Sequence, residues 1–108
     1  MHKREDIDWS WGGRCARLFG AIWGEFSSFG VDDKTIRHIK PKIRKKFDLQ
    51  FKPRPEDFDD ASEAFVTDVK KVAKVVGCNE DEIESLEDTI YDSLSFNFQD
   101  WNEGGGGN

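Results

Sequence analysis

The sequence predicts an all-α protein, a compact bundle of about four helices with a Pro-containing crossover between the second and the third. Three observations lead there. Apolar residues recur at steps of three and four along four separate stretches. Gly30 and Gly77 stand where two of these stretches end, and each is followed two residues later by a capping residue, Asp32 or Asn79. No alternating pattern of strand length survives beside them; "DLQF", 48–51, is the one short candidate. A chain of 108 residues makes one domain. It is assigned to residues 1–103, with 104–108 as a flexible Gly-rich tail.

The first segment runs from about Asp8 to Ser28. Trp11, Cys15, Leu18, Ile22 and Phe26 mark its apolar stripe, which Phe19 and Trp23 widen. Beside the stripe lies a ridge of small residues, Gly12, Ala16, Gly20 and Gly24. An interior glycine costs a helix about 1 kcal/mol relative to alanine, and close approach of a neighbour would offset that cost. The simplest neighbour is the third or fourth segment of the same chain. A partner helix, or a second copy forming a homodimer, fits the same ridge. Arg14, Arg17 and Glu25 interrupt the segment, so it is not expected to span a membrane.

The second segment opens with Asp32 as N-cap and Val31 stapled to Ile36. Ile36, Ile39, Ile43 and Phe47 carry its stripe. Pro41 lacks an N–H and crowds the carbonyl of Arg37, which predicts a kink or break near Lys40. An extended connection holding Pro53 and Pro55 is expected from Asp48 onward. The third segment, about Glu56 to Val76, places Phe58, Ala61, Phe65, Val69, Val72 and Val76 on one side, with acids first and Lys70, Lys71 and Lys74 late. The fourth starts from a capping box of Asn79 and Glu82, with Cys78 stapled to Ile83. Ile83, Leu86, Ile90 and Leu94 form its buried face. "FNFQDW", 96–101, is expected to fray or turn back, with Phe96, Phe98 and Trp101 packing on the bundle.

Charge divides the chain. Residues 34–54 hold nine Lys/Arg against Asp48 alone, whereas residues 55–108 hold fifteen acids against three lysines. The net charge of -6 argues against non-specific nucleic-acid binding as the default. The leading expectation is a small non-catalytic module that binds or inhibits a protein partner. Trp11, Trp23 and Phe26 would anchor the contact. Asp81, Glu84, Asp88 and Asp92, which share one face of the fourth segment, would steer the encounter. A rigid carboxylate array of this kind can imitate a phosphate backbone; its plainest role is a solvated face.

The alternative is a helix-turn-helix DNA binder. Gly30 would be its turn glycine, and Lys34, Arg37, His38 and Lys42 would face a groove while Lys45 and Lys46 met phosphates. Phe26 stands where that motif needs a small residue, Asp32 and Asp33 open the reading helix, and Pro41 interrupts it. The plainest role of the basic run is loose pairing with the acidic helices. In a DNA reader these side chains would instead stand free on a convex face.

Chemistry finds little footing. His2 and His38 have no paired nucleophile, and no phosphate-cradling Gly-rich loop is present. No His or Cys pair has ligand spacing, and the acidic runs lack the EF-hand pattern, so no enzyme activity, metal or cofactor is expected. Cys15 and Cys78 do not make a disulfide framework, and no secretory pattern precedes them. A reducing, cytoplasmic setting is the expectation.

Overall fold

The structure, a computed structural model, describes residues 7–52 and 55–102, and the side chains of that range up to Phe98. The predicted tail, His2, Pro53, Arg54 and the packing of the Trp101 side chain lie outside the described residues. Four helices follow in order, α1 (Trp11–Ser28), α2 (Asp33–Phe51), α3 (Phe58–Val75) and α4 (Glu80–Asn102), and no strand occurs among the described residues. α1 packs on α4 and α2, and α3 packs on α2 and α4. The pairs α1/α3 and α2/α4 therefore stand on the two diagonals of an antiparallel bundle.

Local chemistry sets the ends. Ser10 caps α1 by accepting the Gly13 N–H at 3.1 Å, so the helix starts at Trp11 rather than near Asp8. Asp32 caps α2 by accepting the Thr35 N–H at 2.7 Å, and Asp57 caps α3 by accepting that of Asp60 at 3.0 Å. The capping box of α4 closes in both directions. Asn79 Oδ1 accepts the Glu82 N–H at 2.8 Å, and Glu82 Oε1 accepts the Asn79 N–H at 2.9 Å. Gly30 (φ 89°) and Gly77 (φ 97°) take the left-handed conformation that ends α1 and α3. After each, the next residue donates five back, Val31 to Phe26 and Cys78 to Ala73.

Two helices outrun their predicted limits. α2 passes through Pro41 and includes "DLQF". The Pro41 ring sits on the exposed side of α2, where water can serve the carbonyl it releases. Inward-facing Ile39, Ile43, Phe47 and Phe51 hold the helix on both sides of it. Phe47 and Phe51 stack at 4.8 Å, which keeps the last turn helical. The connection to α3 is thus short, from Lys52 to Asp57. α4 likewise does not turn back at Phe96. Phe98 extends the line of Ile83, Leu86, Ile90 and Leu94, and it is fully buried.

Phe47 is the hub of the core. Its ring meets Trp11, Phe19, Phe51, Phe65 and Phe98, all within 6 Å between centroids. Burying rings of this size supplies the largest apolar areas in the fold. A second, polar node ties the start of the described chain to α4. Arg14, buried, donates to the Asn97 carbonyl at 2.6 Å and to the Trp9 carbonyl at 2.7 Å. Arg17 donates to Asn97 Oδ1 at 2.6 Å, and both guanidinium groups lie over the Trp9 ring.

The ridge of α1 seats no helix of this chain. Every exposed residue of α1 is Gly, Ala or Ser, namely Gly12, Ala16, Gly20, Gly24, Ser27 and Ser28. A Cβ built on Gly20 or Gly24 meets nothing within 4 Å, and one on Gly12 meets only Ser10 Oγ, at 3.9 Å. The large apolar residues Leu18, Ile22 and Phe26 decide which side turns inward, because burial scales with apolar area and glycine offers almost none.

Candidate functional site

The charged groups separate as the bundle closes. Lys34, Arg37, His38, Lys42, Arg44, Lys45 and Lys46 are all exposed along α2. Among the described residues, no carboxylate lies within the 4.0 Å of an ion pair from any of them; the Lys70–Glu87 pair, at 3.3 Å, joins α3 to α4 instead. α4 stands diagonally from α2, and α3, which packs on α2, brings none of its carboxylates within that distance of these bases. The expected loose pairing between the basic run and the acidic helices is not what the fold builds. Asp81, Glu84, Asp88 and Asp92 are exposed on α4, across the molecule from α2.

The aromatic residues do not gather with those acids. Phe26 is 0% exposed and belongs to the core, so it has no surface to offer a partner. Its ring meets that of Phe29 edge-on, 6.4 Å between centroids. Trp11 is half-buried, with its ring 5.8 Å from that of Phe47 and 5.6 Å from that of Phe98. Trp23 is half-buried and leans toward α2. It stacks on Phe19 at 5.7 Å, nearly parallel, and the Lys40 ammonium lies 5.6 Å from its ring centre. The Arg44 guanidinium lies 5.3 Å from the Phe19 ring. The aromatic strip of α1 is therefore joined to the cations of α2. Contacts of this kind are worth roughly 0.5–1 kcal/mol when exposed.

The α1–α2 side thus presents three adjoining strips. One is the bare Gly/Ala/Ser face of α1. The next is Trp23 on Phe19, topped by Lys40 and Arg44. The third is the exposed cationic row of α2. On the far flank of α2, Ile39, Val72, Val75 and Val76 line a shallow groove with His38, Lys42 and Lys71 at its rim, and Val75 is 86% exposed.

The helix-turn-helix positions divide. Lys34, Arg37, His38, Lys42, Lys45 and Lys46 do stand exposed on α2, and Lys34, Arg37 and His38 border a shallow depression with Thr35. Hydrogen bonding from the Thr35 side chain, and then from its backbone N–H, holds the Asp32 pKa below the usual carboxylate value, and Asp33 remains exposed at the same end. Burial, reinforced by Asp48 and offset by Arg44, pushes the Cys15 thiol up to about 11. Cys78 is also pushed up, by burial and then by Glu82. Both thiols are free and protonated near neutrality. Among the described residues, no group of three His, Cys, Asp or Glu side chains could hold a metal ion, and no helix is long and apolar enough to cross a membrane.

Sequence reasoning missed the pairing of Trp23 with Lys40, because residues seventeen apart meet only when the hairpin closes. It also passed over Arg14, Arg17 and Asn97. Their one legible signal is two arginines three apart on an otherwise apolar helix. Comparison of the chain with protein-family models, curated proteins and solved structures gives no match.

Proposed function

We propose that this chain is a non-catalytic protein-binding module whose contact surface is the α1–α2 side, and that its partner presents an acidic helix or edge. The Trp-bearing surface of α1 supplies the anchor. The steering charge comes from α2 and not from Asp81, Glu84, Asp88 and Asp92. The observation that carries this reading is the row of exposed bases on α2 without a carboxylate partner among the described residues, set beside an α1 face whose fully exposed residues are all Gly, Ala or Ser. Bare helix faces let another backbone approach closely, as small residues do at tight helix–helix contacts. Trp23 and Phe19 add an apolar, rigid patch of the type enriched at interface centres. A phosphate backbone has no use for either feature.

The test is site-specific photocrosslinking in cells, with the photoreactive residue at position 20 or at position 88. The expected result is a defined protein adduct from position 20, none from position 88, and its loss in the pair Lys40→Glu/Arg44→Glu. Equal adducts from both positions, or an adduct indifferent to that charge reversal, would overturn the reading. The second reading, DNA binding by Lys34, Arg37, His38, Lys42, Lys45 and Lys46, is favoured by the exposure of these bases without a carboxylate partner among the described residues. It predicts a complex with random-sequence duplex DNA on size exclusion with light scattering that dissolves steeply as salt rises.

A further inference from the structure

A second surface lies on the far flank of α2, where it packs on α3. The groove there has a volume of about 280 Å³, at the lower end of small-molecule sites. Ile39 of α2 and Val72, Val75 and Val76 of α3 make its apolar wall. Val75 is the most exposed large apolar side chain among the described residues, at 86%, and a valine so open gains from any apolar cover. The groove is cationic toward one end. α2 and α3 run antiparallel, so Lys42 and Lys71 share one end, while Thr35 shares the other with Val75 and Val76. His38 stands between. Among the described residues no carboxylate lines the groove, and none lies within the 4.0 Å of an ion pair from Lys42 or Lys71. Two ammonium groups on facing helices thus meet at the head of an apolar channel with nothing to neutralise them.

We propose that this α2–α3 groove binds a fatty carboxylate of medium chain length. The carboxylate sits at the Lys42–Lys71 end and accepts from both ammonium groups. The acyl chain runs past Ile39 and Val72 and covers Val75 and Val76. Each part of the ligand meets its complement. A carboxylate is acceptor-only and an ammonium donor-only. From Thr35 to Lys42 the groove follows α2 for about 10 Å, at roughly 1.5 Å per residue, which suits one short chain. A peptide fits less well. Extended, it would lay backbone N–H and C=O groups against valines that cannot pair them. As a helix, about 10 Å across with its side chains, it is too wide for this volume. A second copy docked on the same face would bring like charges together. The site is independent of the α1–α2 surface and stands or falls without it.

Valine methyl groups report groove and core separately, because Val72, Val75 and Val76 line the groove while Val66 and Val69 are buried in the core. The full chain, methyl-labelled at valine, is titrated in NMR with octanoate and, separately, with 1-octanol and octylammonium. The expected result is a saturable shift of the Val72, Val75 and Val76 methyl resonances with octanoate only. Lys42→Gln with Lys71→Gln, both on exposed side chains, should weaken binding roughly fivefold to tenfold. Val75→Ser, which changes a side chain outside the core and should leave the fold intact, should weaken it severalfold. The proposal is overturned by no saturable shift, by equal shifts from the alcohol or the ammonium, by shifts at Val66 and Val69 as large as those in the groove, or by octanoate binding that neither variant alters.

Discussion

α1 and α2 lie side by side, span 18 and 19 residues, and each buries five side chains, Arg14 of α1 among them. Their outer faces are opposites. The fully exposed residues of α1 are all Gly, Ala or Ser, with Arg17, Trp23 and Glu25 partly exposed beside them, whereas α2 shows seven basic residues, counting His38, and the Pro41 ring. Neither choice serves the isolated fold. Exposed interior glycines lower helix stability, since alanine would hold the backbone with less entropy loss. A crowd of like charges repels itself. Two neighbouring helices thus give up stability in different ways on one side of the molecule; α3 carries a mixed solvent face, and α4, with no basic residue, carries a like-charge face of its own. That is the pattern expected where a surface is shaped for contact and not for the fold alone.

The largest effect should come from what the two helices share. Phe47 of α2 touches Trp11 and Phe19 of α1. Phe47→Ala should cost about 3–5 kcal/mol in urea unfolding and loosen both helices together. A loss confined to α2 in hydrogen exchange would break the view that they form one unit. The next effect separates them. Gly20→Ala with Gly24→Ala should raise stability by about 2 kcal/mol together, because the helix gains propensity and the new methyl groups meet nothing within 4 Å. Lys45→Ala on α2 should leave stability within about 0.5 kcal/mol. If the glycine replacements destabilise the free chain, α1 carries an internal contact and the contrast fails. The small effect is at the corner between the helices. Asp32 has a lowered pKa because its carboxylate is hydrogen-bonded by the Thr35 side chain and then by the Thr35 N–H. Its contribution is therefore full above the ordinary carboxylate value and is lost as pH falls through the lower folded value. Asp32→Asn keeps an acceptor and removes the titration, so the acid limb of its melting temperature against pH should be flatter than that of the parent chain.

How much of this was legible varies with the range of the interaction. The caps at Asp32 and Asn79 and the turns at Gly30 and Gly77 are set by residues within five positions, and the sequence shows them directly. The inward stripes follow from the 3.6-residue period, which is why Leu18, Ile43 and Leu86 were placed correctly. The path of α2 through Pro41 and "DLQF" was not legible, because burial of Ile43, Phe47 and Phe51 overrides a local break. Phe26 misled as a surface anchor. Its aromatic type is common at interfaces, yet its position sits squarely in the inward stripe of α1. The α1 ridge misled in the opposite sense, since small residues permit close packing without causing it.

Alone, then, the sequence determined the all-α class, the four helices, their caps and most of their buried faces, because capping and amphipathic periodicity act over a few residues. It also determined that positive charge clusters in the middle of the chain and negative charge after it. Only the tertiary structure decided that α2 and α4 stand on a diagonal, so that bases and acids part instead of pairing. It alone decided that Trp23 joins Lys40 and that Gly12, Gly20 and Gly24 of α1 face outward. Each of these depends on which helices become neighbours, and that is settled by the fit of large apolar side chains far apart along the chain.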